Sequence, residues 1–256
     1  MALQRLSLKE SVKKLITLRQ QKIAVTPALP AVQISLREVS AVQNIRIFFK
    51  KRDRAKYISH LDMTRLFQRA VRRSGITMWY TEGFHPHLYM TFALPLSLGI
   101  ESDCESVDMR LIDDISFSEV KDRLNSVLPK GIEVTEICEP VMKANRIVSS
   151  KYAVKLINLS DKKAQFDAFL EQNEIMAVKK GKAGEKLVNI KAFVYDYKTF
   201  CEGENLCAEL VLASGNVNTL NPQLLLSVFS EQQNVSVEGA ALLRCEVFAE
   251  NGEIFK

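Results

Sequence analysis

The pattern of apolar and polar positions becomes regular at residue 45, where short alternating segments begin to follow segments with helical periodicity. Alternation and β-branched or aromatic residues predict strands, and apolar residues spaced three or four apart predict helices. Ser59 is expected to cap the first helix and Gly75 to end it. The predicted strands of this half are Ile45–Lys51, Tyr89–Leu94, Ser106–Ile112 and Ile132–Cys138, and the helices are 60–74 and Phe117–Leu128.

The same order recurs in the second half of the chain. The strands predicted there are Tyr152–Leu159, Glu174–Lys179, Val188–Tyr197, Cys207–Ala213 and Leu242–Ala249, and the helices are Lys162–Gln172 and Pro222–Glu231. The first half therefore follows the strand–helix–strand–strand–helix–strand order of a split βαβ unit, and the second half follows it with one more strand between its helices. We predict an α+β fold of two tandem ferredoxin-like units with antiparallel sheets, spanning residues 44–143 and 144–256.

Residues 1–43 have a different character. Ser7 and Glu10 resemble a capping box that opens a short amphipathic helix to about Gln21, and the two prolines of Thr26–Ala31 interrupt any helix that follows. The segment is basic and poor in acids. It is interpreted as an N-terminal extension or linker, with a docking tail and a transit peptide as alternatives.

Positive charge is concentrated in one stretch of the chain. The protein has 256 residues and a net charge of +5, but residues 45–73 hold ten basic side chains against two acidic ones, a net charge of +8. Residues 1–44 add seven basic and two acidic side chains, so the remainder sums to −8. This polarity favours a partner that carries phosphate, or else an acidic protein surface.

The cysteine pattern and the hydropathy argue against several classes of protein, including disulfide-linked, iron–sulfur and membrane-spanning proteins. Five scattered cysteines without a CxxC pair are typical of reduced thiols and do not suggest a disulfide framework, a structural zinc site or an iron–sulfur cluster. No apolar run approaches the roughly 20 residues of a membrane helix. A cytoplasmic protein without a membrane partner or an intrinsic cofactor is expected.

All three histidines lie in one short window that also contains the basic helix. His60 begins that helix, and His85 and His87 lie in a loop that reads EGFHPH. Helix N-termini and arginine side chains both bind phosphate, and exposed aromatic rings stack on bases. The residues predicted to contact nucleic acid are Lys51, Arg54, His60, Arg65, Arg69, Arg72, Arg73, Phe84 and His87. Those predicted to shape the motifs are Ser59, Asp62, Gly83, Pro86 and Gly99.

Three other interpretations of the histidines remain open. In a catalytic one, His60 or His87 acts as general acid or base with Asp62 or Glu82 as the orienting carboxylate, which would suit metal-independent RNA cleavage. In a metal-binding one, His60, His85 and His87 act as ligands, with Glu105 as a further one. In a purely structural one, Ser59 and Asp62 cap the helix and the loop closes the sheet edge.

The segments SHLD (59–62), GFHPH (83–87) and LPLSLGIES (94–102), together with Glu105, resemble the radical-SAM-linked family also known as the DUF2344 domain. The resemblance covers about residues 44–250. The family usually has proline where this chain has Leu88, and often asparagine where it has His85.

The resemblance implies a radical SAM enzyme as partner, which would carry S-adenosylmethionine, an iron–sulfur cluster and cobalamin. It implies no established activity. Combined with the basic helix, it leads to the hypothesis of an accessory protein that binds tRNA or rRNA and supports RNA modification or maturation. A histidine-dependent ribonuclease or RNA-modifying enzyme, and a protein–protein adaptor for the radical SAM enzyme, are the alternatives.

Overall fold

The computed structural model describes residues 42–181, 184–215 and 218–256. The predicted N-terminal helix and the proline segment after it lie outside the described residues. Within the described part, the predicted α+β class is confirmed, because four α-helices pack with an eight-stranded sheet. No helix in the same part is both long and apolar enough to span a membrane.

The order of helices and strands largely follows the prediction from periodicity in both halves. The first half contains β1 Gln43–Lys51, α1 His60–Ser74, β2 Met90–Phe92, β3 Glu101–Leu111, α2 Phe117–Asn125 and β4 Ile132–Cys138. The second half contains β5 Ile147–Leu156, α3 Lys163–Glu171, β6 Met176–Gly181, β7 Gly184–Asn189, β8 Val194–Glu202, β9 Asn205–Ala213, α4 Pro222–Gln233 and β10 Ala241–Ala249.

The main sheet runs through both halves in the strand order β4-β1-β3-β10-β5-β9-β8, and β2 also pairs with β3. Strands β6 and β7 form a separate two-stranded sheet. Neighbours within each half are antiparallel, whereas β10 and β3 pair in parallel through Leu243 with Glu101 and Arg244 with Ser102. The prediction of purely antiparallel sheets is therefore wrong at this junction, where two strands distant in sequence make the sheet mixed.

Each half has its own apolar core, and one segment crosses between them. In the first half, Phe49 packs against Phe67 with ring centroids 4.9 Å apart, in a core that also receives α2. In the second half, Phe166 packs against Phe229 at 4.8 Å. Ile100 comes from the first half but is buried in the second core. The segment before β3 therefore ties the two halves together.

A second correction concerns the predicted strand Val188–Tyr197. The structure divides it into the end of β7 and the start of β8, with a turn at Lys191–Phe193 between them. The side chain of Asn189 accepts hydrogen bonds from the backbone N–H groups of Ile175 and Lys191. An asparagine that satisfies backbone donors in this way favours a turn over continued strand pairing.

The junction between the halves contains a buried ion pair. Arg244 of β10 is 2% exposed and pairs with Glu105 of β3, which is 5% exposed. Arg244 also donates to the backbone oxygen of Leu94 at 2.7 Å. Burial alone would lower the pKa of Arg244, but the adjacent Glu105 carboxylate raises it, so the guanidinium stays charged.

Replacing Arg244 with methionine is expected to reduce the free energy of unfolding by about 3–5 kcal/mol, because Glu105 would be left buried without its counter-charge. The double variant Arg244→Met/Glu105→Leu should recover much of that loss. Urea denaturation followed by circular dichroism measures both values. The exposed pair of Arg123 with Glu119 supplies the control, since Arg123→Met should change stability little. Equal effects of the two arginine replacements would contradict a central role for the buried pair.

Candidate nucleic-acid interface

The basic helix α1 begins with the hydrogen bonds expected of a capped N-terminus. The Ser59 hydroxyl oxygen accepts from the Asp62 backbone N–H at 3.1 Å and donates to the Asp62 carboxylate at 2.7 Å. Arg65 lies 3.2 Å from the same carboxylate. The bond from Ser59 and the contact with Arg65 lower the pKa of Asp62, so the carboxylate is ionised at neutral pH. Helix α1 ends at Gly75, which adopts the left-handed conformation.

One side of α1 forms a basic groove, here called the arginine groove. Arg65, Arg69 and Arg73 lie along it, facing the segment Ser126–Pro129 that follows α2. Its floor is aliphatic and includes Ile58. The space has a volume of about 700 Å³ and is open to solvent. Arg72 is also exposed on α1 but does not line this space.

The arginine groove holds three arginines and one acid, Asp62, which also lines it. Arg65 shares the Asp62 carboxylate, whereas Arg69 and Arg73 have no ion-pair partner among the described residues. Adjacent arginines are four residues apart, which at 1.5 Å per residue spaces them about 6 Å along the helix axis. Guanidinium groups at this interval suit a row of phosphate groups.

Lys51 does not line the arginine groove, although the sequence predicts that it contacts nucleic acid. The β1–β3 register shifts between Phe49 and Lys51, and the Lys51 side chain is 4% exposed. Its ammonium group donates to the backbone oxygen of Ile58 at 2.9 Å. Burial lowers the pKa of Lys51, an effect that Glu105 opposes and Arg244 reinforces. Arg54, in the same predicted set, is exposed.

The predicted EGFHPH loop forms an exposed end of a narrow hairpin. The Thr81 backbone N–H donates to the His87 oxygen at 2.8 Å, and the Thr81 hydroxyl lies 2.9 Å from His87 Nδ1. Gly83 has a φ of +120°, which L side chains rarely adopt. Phe84 is fully exposed. The loop therefore exposes the Phe84 ring, which the sequence predicts to stack on bases. The contact with Thr81 orients the His87 ring.

The histidines do not gather into a single centre. The His60 ring packs edge-on against Phe92, with centroids 5.1 Å apart, whereas His87 contacts Thr81 and the backbone oxygen of His85. Among the described residues, no group of three His, Cys, Asp or Glu side chains is arranged to hold a metal ion. The metal set of His60, His85 and His87 is therefore not brought together.

Gly99 and Pro86 occupy two different settings. The Gly99 N–H donates to the Lys56 backbone oxygen at 3.0 Å, and its φ of +82° turns the chain just before β3. Leu98, beside it, accepts a 3.0 Å hydrogen bond from the Gln223 side chain of α4. The LPLSLGIES segment thus fastens the two halves, whereas Pro86 lies in the exposed hairpin end.

Two aromatic side chains near the EGFHPH loop pack against an arginine. Arg110 lies over Tyr89 at 4.4 Å and over Trp79 at 4.7 Å, and these two rings meet edge to face. Their faces toward Arg110 are therefore covered, whereas Tyr57 is largely exposed.

The sequence did not indicate the role of Arg244 or of Ser126–Pro129. Arg244 interrupts the otherwise largely apolar strand β10, and a charge in such a strand usually requires a buried partner. That signal was available, but the partner was not identifiable. The segment after α2 carries no signal of its own, because only the packing of α2 beside α1 brings it to the groove.

Comparisons with known proteins place the chain in a family. A family model described as an uncharacterised protein conserved in bacteria (DUF2344) matches residues 44–222. The match includes α1, the EGFHPH loop and Glu105 and ends before β10. No curated protein matches the chain.

Two solved structures share a distant likeness. The crystal structure of an unknown protein from Galdieria sulphuraria is 11% identical, with a TM-score of 0.24, and the match covers 78% of this chain and 96% of that one. A putative glycine cleavage system transcriptional repressor is 10% identical, with a TM-score of 0.23, and the match covers 82% of this chain and all of that one. TM-scores this low do not indicate a shared fold.

Replacing Ser59 with alanine is expected to destabilise the protein by about 1 kcal/mol, because the Asp62 N–H loses its acceptor at the start of α1. Ser59→Asn should retain most of the stability, since asparagine also caps helices. Urea denaturation of the three proteins checks this. If alanine and asparagine behave alike, the side-chain cap does not stabilise the helix.

Proposed function

The chain belongs to the family of uncharacterised bacterial proteins named DUF2344, and on that premise we propose that it is an accessory protein that binds RNA. The arginine groove would hold the RNA backbone, and His60 and the exposed ring of Phe84 would contact bases or ribose nearby. The RNA would be a tRNA or rRNA element that undergoes modification or maturation.

The observation that carries the proposal is the row of Arg65, Arg69 and Arg73 along a single groove. Three guanidinium groups at intervals of about 6 Å match a repeating anion better than one isolated acid. The groove is open, so a continuous strand can pass through it. Its aliphatic floor offers no stacking platform, which assigns backbone and ribose contacts to the groove and base contacts to exposed rings elsewhere.

The radical SAM link belongs to the same proposal. An accessory protein that holds RNA would present it to a radical SAM enzyme, and that partner would carry S-adenosylmethionine, the iron–sulfur cluster and cobalamin. No intrinsic cofactor is assigned to this chain. The described cysteines are free thiols, which supports a cytoplasmic location.

We also infer that each half is a ferredoxin-like unit. The strand order β4-β1-β3-β2 of the first half recurs as β10-β5-β9-β8 in the second, with one helix after the first strand and one before the last. In this description, β6 and β7 are an insertion in the second unit. RNA would be bound by the first unit, and the second unit would support it through the shared sheet.

A second candidate function is a protein adaptor. The groove floor formed by Ile58, Leu66, Val127 and Leu128 is apolar, and its rim is positive. An amphipathic segment with acidic residues, for example from a radical SAM enzyme, would satisfy both features. RNA remains the first choice because the regular arginine row favours a repeating anion.

Reversing the charge of two groove arginines tests the proposal. The variant Arg65→Glu/Arg69→Glu is expected to lose RNA binding while its thermal unfolding stays close to wild type, because both side chains are exposed. Lys186→Glu/Lys198→Glu is the matched control: it makes the same change in charge at exposed positions of the second half and should bind normally. Binding is measured by fluorescence anisotropy with mixed cellular RNA.

The salt dependence of the RNA-binding constant distinguishes specific contacts with RNA phosphates from a general effect of protein charge. For single-stranded RNA, losing two phosphate contacts in Arg65→Gln/Arg69→Gln should reduce the slope of log K against log salt by about 1.4. Normal binding by the charge-reversed variant would disprove the RNA function of the groove. Failure of wild-type protein to bind RNA, together with arginine-dependent capture of a radical SAM enzyme, would establish the adaptor instead.

A further inference from the structure

A narrow notch opens beside His60, on a side of α1 that shares no lining residue with the arginine groove. His60 and Phe92 lie along its wall with other apolar side chains, and the buried side chains of Lys51 and Glu105 also line it. This His60 notch therefore combines one exposed imidazole with two buried charged groups. The residues come from β1, α1, β2, the segment before β3 and β3 itself.

The charges around the notch do not balance. Glu105 pairs with Arg244, which neutralises the one carboxylate in the lining. Lys51 also interacts with Glu105 but forms no ion pair of its own among the described residues, so one carboxylate faces two buried basic side chains. An uncompensated buried charge is costly, so proteins normally pair it or use it to hold a ligand.

The hydrogen bonds of these cations are also incomplete. An ammonium group has three N–H donors, and the acceptor of Lys51 among the described residues is the Ile58 backbone oxygen. The Nε atom of Arg244 is buried and has no hydrogen-bond partner in the described structure. Arg244 does not line the notch, so Lys51 is the buried side chain there with N–H donors to spare.

We propose that the His60 notch binds a phosphate group, with Lys51 and His60 donating hydrogen bonds to its oxygens. Free phosphate and a phosphate monoester present the same chemistry. The site shares His60 with the proposed RNA contacts but no residue with the arginine groove, so phosphate binding here can be tested without RNA.

The dimensions of the notch fix how phosphate would enter. Its free space is about 10 Å³, which is close to the room needed by one oxygen atom. One phosphate oxygen would enter and reach Lys51, while the other oxygens stay outside beside the exposed His60. Glu105 does not repel the group, because Arg244 already neutralises it.

The scarcity of histidine makes the test specific. Proton NMR resolves the imidazole signals of His60, His85 and His87, which can be assigned by single replacements. Inorganic phosphate, titrated at constant ionic strength with chloride as reference, should shift the His60 signal in a saturable manner and leave the other two unchanged. Absence of a His60 shift up to tens of millimolar phosphate, roughly the range for a single small anion, would overturn the proposal.

Lys51→Met keeps the side-chain length and removes the charge. It should weaken the response of His60 to phosphate at least about tenfold, since a hydrogen bond to a charged group is lost. An unchanged response would show that Lys51 does not bind phosphate. Wild-type protein provides a second measurement that needs no buried replacement, because phosphate should protect His60 from diethylpyrocarbonate and leave His85 and His87 reactive. Equal reactivity of the three would overturn the site.

Two further comparisons exclude other binding modes. Arg65→Gln/Arg69→Gln should keep the His60 response, and its loss would move phosphate to the arginine groove. Acetate at the same concentration should have a weaker effect, because it carries one negative charge and leaves one oxygen beside His60, where phosphate carries more charge and leaves several. An equal response to acetate would overturn the assignment to phosphate.

Discussion

The buried pair of Glu105 and Arg244 is the interaction on which the joined architecture depends. It lies where β3 and β10 meet in parallel, the pairing that makes the sheet continuous between the two halves within the described residues. Neither charge is tolerable alone at that depth, so the pair permits only arrangements in which both strands are in place. The neighbouring segment reinforces this by burying Ile100 in the second core and accepting a hydrogen bond from Arg244 at Leu94.

The basic side chains of residues 45–73 have different roles in the fold. Arg46 is buried and forms two hydrogen bonds with Asp108, of 2.6 and 2.8 Å, and Arg52 pairs with Asp103 and Glu101. Lys51 is enclosed beside the junction. These cations stabilise the interior and the start of β3, so they contribute little to a surface field. The positive charge that reaches solvent is concentrated on α1. The arginine groove is therefore where this charge is presented to a partner.

The start of α1 links these two sets of charges. Ser59 and Asp62 fix the first turn through mutual hydrogen bonds, and Arg65 extends that network toward the groove. On the other side of the same turn, His60 packs on Phe92 at the mouth of the notch. These hydrogen bonds hold the backbone at the start of α1 in place. The helix start can therefore position the side chains of both the arginine groove and the His60 notch in advance of any ligand. Lys51 also stabilises the start of α1, because its ammonium group donates a hydrogen bond to the backbone oxygen of Ile58, the residue before Ser59.

The sequence by itself determined the features that are local in the chain. Periodicity predicted the order of helices and strands, Ser59 and Gly75 marked the ends of α1, and the spacing of arginines predicted a basic helix surface, because each depends on residues within a few positions of one another. The tertiary structure decided what depends on distant partners. It turned Lys51 inward, joined β3 to β10, separated His60 from His87 and brought the segment after α2 to the arginine groove. Burial and pairing across more than a hundred residues are set by packing of the whole chain, and no local pattern records them.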